Sequence, residues 1–90
     1  MLKIETTARY RKDYRLMHKR GLDLSRLDAV IQKLRNGEIL EANFRDHALS
    51  GNYVGFRECH ITPDWLFIYA IDNDKLILTA SRTGSHSDLF

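Results

Sequence analysis

Apolar positions recur with a helical period in the first half of the chain and alternate in the second. Leu2 to Thr6 alternates over a few residues and predicts a short strand. Thr7 then stands where a helix would be capped. The apolar stripe of that helix is Tyr10, Tyr14 and Met17, at i, i+4 and i+7, and it runs to about Arg20, where Gly21 stops it. Asp23 predicts the cap of a second helix from Leu24 to Asn36, with Leu24, Leu27, Ile31 and Leu34 along one side and Gly37 just past its end. The two form a helical hairpin whose apolar side needs a partner.

Residues 38–52 are polar and carry Asp46, His47, Gly51 and Asn52, which predicts a long loop or irregular turn. Tyr53 to Ile61 alternates. Val54, Phe56, Glu58 and His60 lie on one face, and Tyr53, Gly55, Arg57, Cys59 and Ile61 on the other. Thr62-Pro63-Asp64 is a turn signal. Trp65 to Ile71 is almost wholly apolar, as a central strand covered on both faces would be. Asp72-Asn73-Asp74 predicts another turn and Lys75 to Ser81 a further strand. Thr83-Gly84-Ser85 ends that strand and leaves a short tail to Phe90. The order β-α-α-β-β-β predicts an α+β fold, with the N-terminal strand and helical hairpin packed on a small antiparallel meander. No repeat, low-complexity tract or linker divides residues 1–90, so they read as one domain.

Composition narrows the class. With 43% hydrophobic and 29% charged residues there is enough apolar material for one core, which excludes a disordered or collagen-like chain. Cys59 is the sole cysteine, so neither an intrachain disulfide nor a thiolate zinc cage is available, and it is most simply a small buried residue. The start Met-Leu-Lys-Ile-Glu lacks the apolar stretch of a signal peptide. The longest apolar run, Trp65 to Ile71, falls far short of the roughly 20 residues a membrane span needs. The expectation is a cytoplasmic protein with no membrane partner.

The net charge of +2 hides an asymmetry: residues 1–35 hold ten Lys/Arg against four Asp/Glu, and residues 36–90 hold four against eight. The excess peaks at Arg9, Arg11, Lys12, Arg15, Lys19 and Arg20, opposed there by Asp13 alone. A one-sided basic surface suits a polyanion such as RNA, although a solvated helix face has the same composition.

Candidate chemistry lies in the second half. His47, His60 and His86 each sit beside a turn or a strand end, while His18 lies in the basic helix. In a sequential meander, the turn after His60 and the end of the last strand share one edge of the sheet. That gathers His60, Asp64, Arg82 and His86. Such a set has the ingredients of metal-free RNA cleavage. Histidine, titrating near ~6.5, can take a proton from the ribose 2′-OH or give one to the leaving 5′ oxygen. Arginine can hold the charge that develops on the phosphate, and a carboxylate can act as base or orient an imidazole. Three histidines and an aspartate can also bind zinc, but the chain has no close-spaced pair such as H-x-x-x-H, which counts against a metal site. Trp65 is either core or a surface on which a base stacks. Phe90, with nothing after it, is a candidate for fraying.

The motifs Asp46-His47-Ala48-Leu49 with Gly51, then Arg57-Glu58-Cys59-His60-Ile61 with Pro63-Asp64-Trp65, then Arg82-Thr83-Gly84-Ser85-His86 with Leu89-Phe90, resemble those of YafQ-type toxins. These belong to the RelE superfamily of type II toxin–antitoxin systems. The resemblance spans the chain and is most specific from Asp46 to Phe90. It implies a RelE-like microbial RNase fold and an mRNA interferase that cuts translated message in the ribosomal A site, leaving 2′,3′-cyclic phosphate and 5′-hydroxyl ends. It implies no cofactor or metal, and three partners: a cognate antitoxin, mRNA and the ribosome. Carried over by motif, the catalytic positions are His47, His60, Asp64, Arg82 and His86. His86 would be the general acid, Asp64 or His60 the base, and Arg82 the phosphate stabiliser. Trp65 and Phe90 match RNA-contacting aromatics, and Arg11, Lys12 and Arg15 would meet RNA phosphates. A non-catalytic RNA- or protein-binding module of the same fold is the alternative.

Overall fold

A computed structural model describes residues 1–90. Strand β1 (Lys3–Thr6) leads into helices α1 (Ala8–Lys19) and α2 (Leu24–Arg35). Both caps fall where the sequence places them. The Thr7 hydroxyl accepts from the Tyr10 backbone N–H at 3.0 Å and the Asp23 carboxylate from that of Ser25 at 3.1 Å. Gly21 and Gly37 follow the two helices with φ of 80° and 76°, the left-handed conformation that glycine adopts without strain.

The rest of the chain is β2 (His47–Ala48), β3 (Arg57–Thr62), β4 (Trp65–Asp72), β5 (Ile77–Gly84) and a short helix α3 (His86–Leu89). The sheet has five strands in the order β1-β5-β4-β3-β2. The predicted meander is its centre, β1 pairs parallel with β5, and β2 adds an opposite edge. Three boundaries differ from the sequence reading. The supposed loop 38–52 contains β2 and two 3₁₀ turns, Ala42–Phe44 and Gly51–Tyr53. The strand expected from Tyr53 begins at Arg57, because Gly55 turns the chain with φ 92°. The last strand continues to Gly84, and the tail is helical. Ser85 and Asp88 close a capping box, each side chain accepting the other's backbone N–H.

The helices cover one face of the sheet. Tyr10, Met17, Leu27, Val30, Ile31 and Leu34 pack on Cys59, Ile61, Trp65, Phe67, Tyr69, Leu78 and Ala80. The opposite face carries only a small cluster, Leu66, Ile68 and Leu89 with Leu49, Tyr53 and Phe56 around it. The polar groups of the second half collect on that open face.

Candidate active site

Strand register assembles the site. On the open face His47 pairs across to Glu58, Glu58 to Ile68, and Ile68 to Arg82, forming one row across four strands. The next row runs from His60 through Leu66 to Gly84. Arg82 joins the first row through a bulge. Ile68 faces Arg82 but Tyr69 faces Ala80, so Ser81 is the extra residue. Without it, Arg82 would share the helix-side face of Leu78 and Ala80. The one-residue slip turns Arg82 to the open face and sends Thr83 into the core.

The edge shared by the β3–β4 turn and the end of β5 then brings Asp64 to His86, as the meander predicts. One carboxylate oxygen of Asp64 accepts both the His86 backbone N–H at 3.0 Å and the His86 Nδ1 proton at 2.6 Å. The backbone bond first, and then the ring, hold the Asp64 carboxyl below the usual carboxylate range. The other two imidazoles are fixed in the same way. His60 Nδ1 lies 3.3 Å from the Pro63 carbonyl, and His47 Nδ1 lies 2.6 Å from that of Arg45. A carbonyl only accepts, so in each case Nδ1 carries the hydrogen and Nε2 is the free nitrogen. The ring centroids of His60 and His86 are 5.7 Å apart, and those of His47 and His60 are 6.4 Å apart.

Arg82 is not a free cation. Its Nε and one terminal amine donate to Asp13 of α1 at 2.7 and 3.3 Å, and Asp13 also accepts the Thr83 backbone N–H at 3.2 Å. Strand β1 ends opposite Ala80, so the Asp13 carboxylate takes the place of a strand partner beyond it. The second terminal amine makes no bond to Asp13, and Tyr53 lies beside the guanidinium. Arg82 and Asp13 border a cleft of about 590 Å³ otherwise lined by Arg9, Lys12, Arg15, Leu16 and Lys19.

The aromatic and basic candidates divide. Trp65 is 3% exposed and donates its indole N–H to Thr83 Oγ1 at 2.9 Å, so it is core and offers no face to a base. Phe90 is not frayed. Its backbone N–H donates to the His86 carbonyl at 2.9 Å, and its exposed ring meets Tyr53 edge-on at 5.7 Å. Lys12 and Arg15 line the basic cleft. Arg11 instead donates to the Thr6 carbonyl and hydroxyl, beside the groove between α1 and α2.

Three participants escaped sequence reasoning: Asp13, Tyr53 and Glu58. Tyr53 lies beside both Phe90 and Arg82. Glu58 could have been found, because it stands two residues before His60 and therefore on the same strand face. Its side chain is only 7% exposed, and its oxygens lie 3.7 Å from His47 Nε2 and 3.7 Å from His60 Nε2. One donor atom from each of Glu58, His60 and His86 falls within a 4.8 Å circle, which makes these three the residues able to hold a metal ion.

Residues 2–90 match the family model described as a bacterial toxin of type II toxin–antitoxin system, YafQ. The chain is 41% identical over 88 residues to the mRNA interferase toxin YafQ of Escherichia coli K12, covering 97% of this chain and 94% of that one. A metal-bound toxin from Helicobacter pylori superposes with a TM-score of 0.94 at 41% identity, over the whole of both chains. YafQ in the E. coli DinJ–YafQ complex does so with 0.90 at 34%, over 100% of this chain and 99% of that one. With the family model matched over residues 2–90 and the fold shared with solved YafQ structures, the chain belongs to the YafQ family of type II toxin–antitoxin toxins.

Proposed function

We propose that this toxin is an mRNA endoribonuclease that cuts translated message on the ribosome in the cytoplasm, using His60 as base and His86 as acid. The observation that carries this reading is the opposite setting of two neighbouring imidazoles. His60 has its Nδ1 hydrogen on a neutral carbonyl, so Nε2 presents a lone pair that can accept the 2′-OH proton. His86 donates its Nδ1 hydrogen to a carboxylate, which fixes the ring and leaves Nε2 as the nitrogen that can deliver a proton.

The 2′ oxygen forms a bond to the adjacent phosphorus as its proton passes to His60. The bond to the 5′ oxygen breaks as that oxygen takes the proton of His86. The nucleophile is internal, so the products are a 2′,3′-cyclic phosphate and a 5′-hydroxyl. The terminal amine of Arg82 not bonded to Asp13 meets the non-bridging oxygens, where negative charge grows. Asp64 is a positioning group, because its bonds to His86 occupy it as an acceptor and keep it a weak base. His47 shares Glu58 with His60 and borders the phosphate path. Phe90 gives a base a ring to stack on. Lys12 and Arg15, with the other cations of the cleft, take ribosomal RNA phosphates. E. coli YafQ forms a toxin–antitoxin complex with DinJ, and a cognate antitoxin binds this chain and neutralises it.

Primer extension on a translated message, with end-group analysis, tests the reaction. Expression should give cuts in register with codons and 5′-hydroxyl ends. His86→Ala should slow cleavage by about 10²–10⁴ while leaving the protein folded. Uncut message in arrested cells, or 5′-phosphate ends, would refute the reading.

A further inference from the structure

The arginines of this chain divide into held and free. Arg11, Arg20, Arg35, Arg57 and Arg82 each donate to a protein oxygen. Arg9 and Arg15 are free and line the basic cleft beside α1. Arg26 and Arg45 are free as well, and they come together elsewhere. They flank a pocket of about 260 Å³ at the outer edge of β3, whose other walls include Asn43, His60, Thr62 and Pro63. β2 stops where His47 pairs with Glu58, so no strand covers that edge from His60 onward. Arg26 stands in the first turn of α2, and the Asp23 carboxylate that caps this helix is taken up by the backbone N–H and hydroxyl of Ser25. Arg45 ends the first 3₁₀ turn with φ 49°, a left-handed conformation that strains a residue with a Cβ. In that conformation its carbonyl accepts from His47 Nδ1 while the residue also lines the pocket.

We propose that this pocket binds one phosphate of the RNA strand being cut, the phosphate on the 5′ side of the nucleotide whose 2′-OH attacks. The choice of linkage rests on the acid–base reading above. The walls select the ligand. Two guanidiniums bring forked donors that match phosphate oxygens, and the Asn43 amide adds another donor. At about 260 Å³ the pocket is smaller than the roughly 300–1,000 Å³ that holds a whole small molecule, and no Phe, Tyr or Trp ring lines it, so it takes a phosphate rather than a base. Position gives the linkage. His60, the base for the 2′-OH, is a wall of the pocket, whereas His86 follows β5, on the other side of β4. The pocket therefore lies beyond the base and away from the leaving 5′ oxygen, where the strand upstream of the attacking ribose passes. The Pro63 carbonyl that fixes the His60 ring belongs to the same wall. A phosphate anchored there holds the attacking ribose against His60. Arg82 and the cleft with Arg9 and Arg15 lie across β4, so the two pairs of free arginines stand on opposite sides of the scissile phosphate.

A short RNA protected from cleavage by 2′-fluoro sugars reads binding by fluorescence anisotropy at low salt, with each linkage replaced in turn by a neutral methylphosphonate. In the parent protein one replacement should weaken binding about 10-fold. Cleavage mapping should place that linkage just 5′ of the nucleotide left with the cyclic phosphate. The double variant Arg26→Gln with Arg45→Asn should bind the unmodified RNA about 10-fold more weakly, with a salt slope smaller by about 0.7, and should be indifferent to that methylphosphonate. Asparagine tolerates the left-handed backbone, so the carbonyl of residue 45 stays on His47. Arg26→Gln alone, on the exposed first turn of α2, carries the test if the double variant fails to fold. Lys75→Gln, in the turn at the opposite end of the sheet, should bind as the parent does. Equal sensitivity of parent and double variant to every methylphosphonate, or a sensitive linkage 3′ of the cut, overturns the proposal. A loss of affinity confined to ribosomes without message gives the pocket to ribosomal RNA and overturns it as well. One arginine-dependent linkage in a protein that never cuts message means that the ribonuclease reading has failed while the phosphate pocket stands.

Discussion

Replacing Asp13 with alanine tests whether α1 is locked to the catalytic strand by a single buried carboxylate. Asp13 accepts three N–H groups, two from Arg82 and one from the Thr83 backbone. The side chains of the pair are 12% and 14% exposed. Asp13→Ala strands the buried Thr83 N–H, worth about 1–3 kcal/mol. It also leaves a mostly buried guanidinium without its counter-charge, and breaking such a pair costs about 3–5 kcal/mol when burial is complete. The two terms overlap and the cleft admits some water, so about 3–4 kcal/mol is expected. Arg82→Ala should cost less, about 1–2 kcal/mol, because Asp13 keeps the Thr83 N–H and has the cations of the cleft nearby. The double variant should then show a coupling near ~2 kcal/mol. The assay is urea unfolding followed by Trp65 fluorescence, since the indole is buried in the core beside Thr83. A His86→Ala background, inactive under the proposed reaction, serves for expression. In a domain of this size about 1 kcal/mol shifts Tm by roughly 4–8 °C, so Asp13→Ala should melt more than ten degrees earlier by this rule. A coupling below ~0.5 kcal/mol would show that the pair is not what ties α1 to β5.

Gly84→Ala should destabilise α3, because a Cβ there would lie 2.9 Å from the Asp88 Cβ and Oδ2; proteolysis near the C-terminus should speed up, and an unchanged rate would count against the contact. Cys59, pushed up to about 12 by burial, should resist a thiol reagent at pH 8 in the folded protein and react only on denaturation. The Arg20 guanidinium, donating to both Asp88 oxygens, holds that carboxyl well below its ordinary value. The stability this adds is present above the unfolded carboxyl's pKa near ~4 and is lost as pH falls further, and Arg20→Gln should flatten that acid limb. Charge reversal at Lys12 and Arg15 should weaken ribosome association and lower its salt dependence, while reversal of Arg11, tied to Thr6, should do less. Equal effects at all three would mean that α1 acts only as a diffuse field.

Local chemistry alone determined the first strand, the two long helices and the three meander strands of this protein. Thr7 and Asp23 cap helices because a short oxygen-bearing side chain there meets free backbone N–H groups. The switch from helical to alternating apolar positions announced a hairpin on a sheet. The sequential meander was enough to place Asp64, His60, Arg82 and His86 at one edge, because each turn is too short for any other neighbour. Only the tertiary structure decided what depends on pairing between distant strands. β2 is two residues long and has no pattern of its own, so its place beside β3, and with it the pairing of His47 with Glu58, comes from the sheet. The bulge at Ser81 reverses the alternation of β5, so the side that Arg82 faces cannot be obtained by counting along the strand. Trp65 and Phe90 exchanged expectations for a similar reason. The aromatic at a turn is sealed by the helical layer and Thr83, and the terminal one is held by the last turn of α3 and by Tyr53. The partners of a charged group are likewise tertiary facts. Asp13 reads as one acid in a basic helix, yet it holds Arg82, sixty-nine residues away in sequence, because β1 ends before β5 does and leaves an edge to be satisfied.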